Sequence, residues 1–349
     1  MKKLLIIYPD LNNANTGGNI IDFQFIDVLR KSQNLELSYI QNKDLPNSSI
    51  IAYNLFFLFH ISLFFKYDYV FVNSRLYPRL YFPFYLLKIL RCKTKLITYH
   101  HHYNFMTQKG LSGILHKFIE LSFLKLMYKV IIPSPYARKM TEELLPKVSI
   151  CYIEIGFDNK NIEIRRENNN TFLFVGTLEP RKGIQYILDV ARIFKQKGLK
   201  ANFRIAGSQK YKEYVENLKN YVVKENLQEL VTFLGRLSDD DLETEFKNAS
   251  LFIFPSLHEG YGMVLVEAMS YSLPVITFNN SAMPFTVIDG ENGFLVENGN
   301  TNQFAERMID LYNNPQLYTK VSHGAFSTAI QKPTKKTMVK NMHSFVSKF

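Results

Sequence analysis

The sequence contains few cysteines, and this scarcity limits the classes of protein that it can encode. Only Cys92 and Cys151 are present among 349 residues. Two cysteines do not provide the disulfide framework of a small secreted domain, so the composition favours a reducing compartment. The apolar run that follows Met1 is too short for a signal peptide and indicates a buried first strand. We therefore expect a cytoplasmic protein.

Long uninterrupted hydrophobic runs are also missing. Residues 51–65 and 76–90 are strongly apolar, but His60 and nearby charges break them. The unbroken parts are shorter than the roughly 18–20 residues that a membrane-spanning helix needs. Basic, aromatic helices of this kind can lie in a membrane interface, or they can be core helices of an α/β domain. The sequence leaves both interpretations open.

Negative charge is scarce in the first half of the chain. Residues 1–160 contain 20 Lys and Arg against 11 Asp and Glu, whereas the remainder contains 22 against 20. This basic excess predicts an anionic partner for the N-terminal half. The chain has no zinc-finger spacing, RNA-binding signature or recognition-helix pattern, so we expect no nucleic acid partner. An anionic membrane, contacted at the inner face of the cell membrane, is the better candidate.

Convincing metal-binding spacing is absent as well. Asp239 to Asp241 superficially resembles an Asp-x-Asp metal motif, but Ser238 followed by Asp241 is typical of a helix cap with acids in the first turn. The three adjacent histidines 100–102 cannot all face one point, which argues against a zinc site. We therefore expect no metal and no cofactor apart from a substrate.

Short apolar runs alternate with amphipathic stretches along the whole chain, a pattern that predicts parallel βαβ units. The polar, asparagine-rich segment 159–170 separates two such series. The fold class that follows is α/β, with two doubly wound Rossmann-like domains, 1–158 and 171–331, facing a central cleft. Residues 332–349 predict a final helix that packs back on the N-terminal domain. The ten predicted strands are 4–8, 35–40, 69–72, 95–99, 130–133, 171–175, 202–206, 231–233, 251–254 and 274–278.

Two motifs in the second half carry the strongest functional signal. The first, Gly176–Gly183, breaks an apolar run at glycine and then presents Arg181 and Lys182. The second places Glu259 and Glu267 eight residues apart around a turn that contains two glycines. Fixed positive charge, exposed backbone amides and two carboxylates match the needs of a sugar diphosphate.

Together these motifs resemble the donor site of the family 4 glycosyltransferases, which have the GT-B fold and the Glu-x7-Glu pattern. The resemblance covers residues 95–300. It implies that Arg181 and Lys182 stabilise the leaving diphosphate, that Glu259 contacts the donor sugar, and that Glu267 holds the ribose. The donor-binding set that it implies is Gly17, Gly18, Gly176, Gly207, Gly235, Arg236, Leu237, Gly260, Tyr261, Gly262, Met263, Val264 and Glu267.

The resemblance extends to the acceptor side of the family. The segment 98–103 matches a strand-then-histidine element, in which His100 fits best and His101 is next. Gly17 and Gly18 match a glycine loop after the first strand. The implied activity is retaining, metal-independent transfer of a hexose-type sugar from a nucleotide sugar to a hydroxyl of a glycan or lipid-linked acceptor. The implied process is cell-surface polysaccharide or lipopolysaccharide synthesis.

The same motifs can be compared with the requirements of glycosidases and dehydrogenases. Glu259 and Glu267 would lie roughly 12 Å apart on one helix, whereas a retaining glycosidase needs carboxyls about 5–5.5 Å apart. A nicotinamide dehydrogenase would need a better glycine fingerprint after the first strand. A GT-B epimerase or phosphorylase, and a non-catalytic nucleotide-sugar-binding scaffold at the membrane, stay as alternatives.

Overall fold

The computed structural model describes residues 1–11, 17–45, 49–158 and 169–349. The chain divides into two compact units, one formed by residues 1–156 with 333–349 and the other by 157–332. The strands are β1 (Lys2–Ile7), β2 (Leu35–Ile40), β3 (Tyr69–Asn73), β4 (Lys95–Tyr99), β5 (Lys129–Ile132), β6 (Ile150–Tyr152), β7 (Thr171–Val175), β8 (Asn202–Ala206), β9 (Val231–Gly235), β10 (Leu251–Phe254), β11 (Val275–Phe278) and β12 (Gly293–Val296).

Helices connect these strands throughout the described ranges. The α-helices are α1 (Gly17–Arg30), α2 (Ile50–Phe59), α3 (Tyr77–Ile89), α4 (Gly110–Lys125), α5 (Pro135–Leu144), α6 (Ile184–Gln196), α7 (Lys212–Lys224), α8 (Asp239–Asn248), α9 (Met263–Ser270), α10 (Thr301–Asn313), α11 (Pro315–Gln331) and α12 (Lys335–Val346). Short 3₁₀ helices cover Asn42–Asp44, Ile61–Lys66, Ser74–Leu76, Asn104–Thr107, Pro180–Lys182 and Met283–Phe285. None of the helices in the described ranges has the length and apolar character needed to cross a membrane.

The first unit is built on a parallel sheet with the strand order β2-β1-β3-β4-β5-β6. Leu4 to Ile7 of β1 are at most 1% exposed, as expected for a central strand covered on both faces. The strand order reverses between β1 and β3. Ligands of open α/β sheets bind beyond the carboxyl ends of the strands at such a reversal.

Helices cover both faces of this sheet. Helices α2 to α5 share one buried core with β1, β3, β4 and β5. On the other face, the ring of Phe25 in α1 lies 5.2 Å from Phe71, 5.6 Å from Tyr99 and 6.1 Å from Phe345. Because Phe345 belongs to α12, the last helix of the chain packs on the first unit.

The second unit has the strand order β12-β11-β10-β7-β8-β9, again with parallel pairing. Its order reverses between β7 and β10. The loops that leave these two strands carry the two sequence motifs, so the motifs emerge side by side at the carboxyl edge of the sheet. This edge is the place where a ligand is expected.

The two sheets confirm the predicted α/β class with two Rossmann-like domains. All ten predicted strands are present, with bounds that differ from the expected ones by at most two residues. Strands β6 and β12 were not predicted. The division after Gly156 lies two residues before the expected domain boundary. Most of the predicted linker, residues 159–168, lies outside the described residues.

Candidate functional site

Three glycines line the carboxyl edge of the second sheet. Gly176, Gly207 and Gly235 follow or end the neighbouring strands β7, β8 and β9. The Gly207 amide donates to the Gly235 carbonyl at 2.7 Å. A Cβ on Gly207 would lie 1.7 Å from the Gly176 carbonyl oxygen, so no other residue fits there without a backbone shift. This edge therefore presents bare backbone that a phosphate or base can approach closely.

A tight turn holds the basic pair against the second motif. Arg181 and Lys182 occupy the 3₁₀ helix Pro180–Lys182 that follows β7. Gly183 ends this helix with a φ of 70°, and a Cβ there would lie 2.0 Å from the Pro255 carbonyl oxygen. The left-handed conformation and the close contact both require glycine. The turn after β7 is thereby locked onto the loop after β10.

Glu259 is the centre of an ionic cluster. Its Oε1 accepts hydrogen bonds from Lys182 Nζ at 2.6 Å, Arg181 Nη1 at 2.9 Å and Ser256 Oγ at 2.7 Å. The second Arg181 nitrogen, Nη2, donates to Glu179 Oε1 at 2.6 Å. The side chains of Lys182 and Glu259 are only 14% and 13% exposed, so solvent screens their attraction weakly. Two cations and two carboxylates thus balance each other in a small volume.

The charge states of this cluster follow from its environment. Burial alone would raise the pKa of Glu259, but the charges of Lys182 and Arg181 and the hydrogen bonds to the carboxylate lower this pKa overall. Burial alone would lower the pKa of Arg181, but Glu259 and Glu179 raise it overall. Both groups are therefore charged at neutral pH, so the pairing between them is ionic.

Glu259 also opens the glycine turn that leads into α9. Its amide donates to Ser281 Oγ at 2.9 Å. Gly262 precedes the helix with a φ of 81°, and a Cβ there would lie 2.8 Å from Met283 Cε. The first amides of an α-helix lack intrahelical partners and favour anions through the helix dipole. The start of α9 therefore adds amide donors to the positive charge of the basic pair.

The other residues around this turn occupy different environments. Glu267 is exposed on α9, one turn after Met263 and on the same side of the helix. Tyr261 is buried, with its ring 5.6 Å from that of Phe157, so its side chain belongs to the core. Gly260, Met263 and Val264 are half-buried at the turn.

The loop after β9 contributes Arg236, which is exposed, and Leu237, which is half-buried. Ser238 Oγ accepts a hydrogen bond from the Asp241 amide at 3.2 Å and caps α8. This bond confirms the predicted helix cap, and the three aspartates form the first turn of that helix. Across the described residues, no three His, Cys, Asp or Glu side chains group as a metal site requires.

The first unit has a polar cluster at its own strand-order reversal. Asp22 of α1 is 1% exposed, and its Oδ1 lies 2.7 Å from His101 Nε2. Its Oδ2 accepts hydrogen bonds from the Tyr8 hydroxyl at 2.9 Å and from Asn73 Nδ2 at 3.0 Å. These contacts join the ends of β1, β3 and β4 to α1. The cluster borders a small pocket, which is also lined by Gly18.

The structure separates the two histidine candidates. His100 is fully buried, and burial, followed by repulsion from its histidine neighbours, lowers its pKa to about 3. Its ring packs 4.5 Å from that of Tyr103, away from the pocket. His101 lines the pocket, stacks on Tyr99 at 5.2 Å, and lies beside Gly18, where an added Cβ would be 3.5 Å from the imidazole. Of the two, His101 is the one that a ligand can reach.

Several residues of these clusters were not identified from the sequence. Asp22 lies one helical turn after Gly18, a spacing that could have pointed to it. No motif near Asn73 or Tyr8 in the sequence indicates a functional role, because only the sheet brings the ends of β1 and β3 together. In the second unit, Glu179 lies within the first motif and Ser256 lies three residues before Glu259, but the sequence analysis gave neither residue a role.

Known proteins share the motif-bearing part of the chain. Residues 157–327 match the family model of glycosyl transferases group 1. An uncharacterized glycosyltransferase of Methanocaldococcus jannaschii, MJ1178, is 36% identical over 189 residues, which are 54% of this chain and 51% of that protein. CapM of Staphylococcus aureus, a capsular polysaccharide biosynthesis glycosyltransferase, is 28% identical over 178 residues, 50% of this chain and 46% of CapM. The chain thus spans about half the length of the curated relatives that it matches.

Similarity to solved structures extends over the whole chain. HepE of Anabaena, solved in complex with UDP-glucose, aligns with a TM-score of 0.74 at 16% identity and with 100% of each chain covered. At this identity the likeness concerns the fold, and it agrees with the predicted GT-B fold. Residues 157–327 are thus similar to known glycosyltransferases, and the whole chain is similar in fold to HepE.

Proposed function

We propose that the chain is a retaining, metal-independent glycosyltransferase that moves a hexose-type sugar from a nucleotide sugar to a hydroxyl of a glycan or lipid-linked acceptor. The observation that carries this proposal is the cluster of Arg181, Lys182 and Glu259 at the switch between β7 and β10. It combines half-buried positive charge with an adjacent helix start, as a departing nucleoside diphosphate requires.

The second unit would bind the donor. Lys182 and Arg181 would stabilise the negative charge that develops on the diphosphate as the glycosidic bond breaks, and the first amides of α9 would bind phosphate oxygens. Because their charges are fixed before a ligand arrives, little reorganisation is needed during the reaction. Gly207 and Gly235 would let the nucleotide approach the strand ends. Glu267, exposed on α9, would hold the ribose hydroxyls.

Glu259 is better suited to positioning than to nucleophilic attack. Its Oε1 already accepts three hydrogen bonds, two of them from cations, which reduces its nucleophilicity. We therefore favour attack by the acceptor on the face that the diphosphate leaves, through an oxocarbenium-like ion. The carboxylate would orient the sugar hydroxyls, while Arg181 and Lys182 would supply the positive charge that a metal ion provides in other transferases.

The first unit would bind the acceptor in the pocket beside His101. The Asp22 carboxylate would accept a hydrogen bond from Nε2 of this imidazole, and in the tautomer that this contact favours Nδ1 is an acceptor. A hydroxyl group of a substrate could then donate to His101.

The known relatives narrow the substrates that we propose. HepE was solved with UDP-glucose, which supports a UDP-sugar donor, and CapM acts in capsular polysaccharide biosynthesis, which supports a cell-surface glycan as product. We place the reaction in the cytoplasm at the inner face of the cell membrane, where the basic first half of the chain would contact anionic lipid.

A donor panel tests the proposal. The purified chain would be incubated with UDP-, GDP- and ADP-sugars, with and without membrane lipid extract, and nucleotide release would be followed. We expect one donor class to be hydrolysed slowly and consumed faster when lipid is present. NMR of the product should show the anomeric configuration of the donor, and EDTA should leave the rate unchanged.

Variants connect this activity to the cluster. Lys182→Ala should lower transfer by about a hundredfold, while Lys219→Ala, at an exposed lysine of α7, should behave as wild type. Equal transfer by both variants would refute the proposed role of the cluster. Epimerisation of the donor sugar without an acceptor, or phosphorolysis, would favour the epimerase or phosphorylase alternative. Donor binding without turnover under every condition would favour the scaffold.

A further inference from the structure

Exposed large hydrophobic side chains are concentrated on the first unit. Of the 21 such side chains in the described residues, 13 lie between residues 50 and 118. Single exposed apolar residues are ordinary on protein surfaces, whereas a contiguous group marks an interaction site. We therefore expect this group of side chains to bind a partner whose surface is apolar over a large area.

Three helices expose these side chains at helical spacing. The repeat of three or four residues means that each set forms one stripe along its helix. The stripes reach 83% exposure at Phe59 and 85% at Leu111, so they are open to solvent rather than partly covered. We call them together the apolar face: Ile51, Leu55 and Phe59 of α2; Phe82, Tyr85 and Ile89 of α3; and Leu111, Ile114, Leu115 and Phe118 of α4.

The three stripes point in the same direction. Helix α3 packs against both α2 and α4. The opposite sides of the helices carry Phe57, Phe84 and Phe123, which are fully buried in one core against the sheet. Because the buried sides all face the same side of the sheet, the exposed stripes all face away from it. They form one surface rather than three separate patches.

The surroundings of the apolar face are strongly basic. Residues 49–129 contain 11 Lys and Arg but only two acids, Asp68 and Glu120. Asp68 pairs with Lys2 at 3.2 Å, and Glu120 is buried and accepts hydrogen bonds from the amides of residues 104 and 105. Neither acid offsets the positive charge near the stripes. The exposed cations of this range are Lys66, Arg75, Lys88, Arg91, Lys93, Lys109, Lys117 and Lys125.

We propose that the apolar face seats the first unit on an anionic lipid bilayer. The aromatic and aliphatic stripes would enter the boundary between headgroups and acyl chains, and the lysines around them would contact lipid phosphates. Surfaces that combine apolar stripes with basic residues suit this environment, because burial and charge attraction act together. The sequence predicted membrane contact for residues 51–65 and 76–90. The structure adds the first turns of α4, where Leu111, Ile114 and Leu115 are exposed.

The face also leads to the pocket of the first unit. Helix α4 begins at Gly110, shortly after His101 and at the carboxyl edge of the sheet, so Leu111 and Ile114 lie toward that edge. A lipid-linked acceptor in the bilayer would then present its glycan headgroup close to the pocket. This last step rests on the proposed transfer activity. The bilayer contact adds a defined surface to the membrane location proposed above and does not depend on that activity.

Vesicle co-sedimentation of the full chain tests the proposal. We expect binding to vesicles of phosphatidylcholine mixed with phosphatidylglycerol, and weak binding to phosphatidylcholine alone. The variant Leu111→Gln/Ile114→Gln/Leu115→Gln/Phe118→Gln should bind mixed vesicles about tenfold more weakly or worse, since each buried methylene contributes to insertion. Its thermal unfolding should match wild type, because the four side chains are exposed.

A matched control changes four exposed apolar residues of the second unit: Tyr211→Gln, Val223→Gln, Ile288→Gln and Ile330→Gln. It should bind vesicles as wild type does. Wild-type binding by the α4 variant, or equal binding to both lipid compositions, would overturn the proposal. So would light scattering that shows a dimer which the α4 variant converts to a monomer. Vesicle binding together with failure to turn over any donor would refute the proposed function and leave this inference standing.

Discussion

The Asp22 carboxylate holds His101 through a 2.7 Å contact between Oδ1 and Nε2, while its other oxygen accepts from Tyr8 and Asn73. This arrangement distinguishes the two imidazole nitrogens, because the one facing the carboxylate carries the proton. Asp22 is almost completely buried, and its two carboxylate oxygens are occupied by these three contacts. It acts as a positioning residue for His101.

Replacing Asp22→Asn should therefore impair transfer more than donor binding. The amide keeps the shape but loses the charge, so His101 no longer has a fixed tautomer. We predict a transfer rate about a hundredfold lower, with an unchanged thermal shift by the donor. The ¹⁵N shifts of the His101 imidazole should report the altered tautomer. Asp27→Asn, on the exposed side of the same helix, is the control, and equal rates for the two variants would contradict the assignment.

The ionic cluster predicts a specific dependence of stability on acid. Because the folded pKa of Glu259 lies below its ordinary value of 4.5, the carboxylate stabilises the folded state above pH 4.5. This contribution is lost as the pH falls through the lower folded pKa. Glu259→Gln should cost about 3 kcal/mol at pH 7, and the loss should shrink below pH 4.5. Chemical denaturation at several pH values measures both. Glu229→Gln, at an exposed site, should show neither effect.

A side chain at Gly207 should clash with the backbone of Gly176. Gly207→Ala should lower the free energy of unfolding by about 3 kcal/mol or more, because the new Cβ overlaps the Gly176 carbonyl. Gly198→Ala is the matched control, since Gly198 also has a positive φ but no heavy atom lies within 4 Å of the place that its Cβ would occupy. That change should cost only about 1–2 kcal/mol from the left-handed conformation. Equal losses in urea unfolding would mean that the contact at Gly207 is unimportant.

His100 predicts a second window of acid sensitivity. Its folded pKa of about 3 lies below the ordinary 6.5, so the unfolded chain binds a proton first as the pH falls. Stability should therefore decrease between pH 6.5 and 3, by at most about 1.4 kcal/mol per pH unit. Between pH 6.5 and 5 the stabilisation by Glu259 is constant, and in this range His100→Leu should flatten the slope. The exposed His343→Leu should leave it unchanged, and an unaltered slope in the His100 variant would exclude a buried neutral imidazole.

Much of the fold was predictable because local signals were strong. Strands such as β2, β4 and β8 are continuous apolar or alternating runs bounded by polar turns, and the structure has them at the expected bounds. Strand β6 has only three residues, and β12 begins at Gly293, so neither shows enough periodicity to be recognised. Their pairing is decided by neighbouring strands.

The candidate site was predictable only in part. The glycines and charges of the two motifs are local in sequence, which makes Arg181, Lys182 and Glu259 recognisable together. The choice between His100 and His101 is different, because successive residues at a strand end point to opposite sides. Only packing shows that the first ring is buried against Tyr103 and that the second faces the pocket.

The amino-acid sequence by itself predicts the α/β pattern, the basic first half and the two motifs, because each depends on residues that are close together in the chain. The folded structure decides which charged side chains contact each other. Sheet order brings Lys182 to Glu259 across 77 positions and Asp22 to His101 across 79. Folding also gathers the stripes of α2, α3 and α4 into one surface, since their common packing on the sheet leaves the same side of each helix exposed.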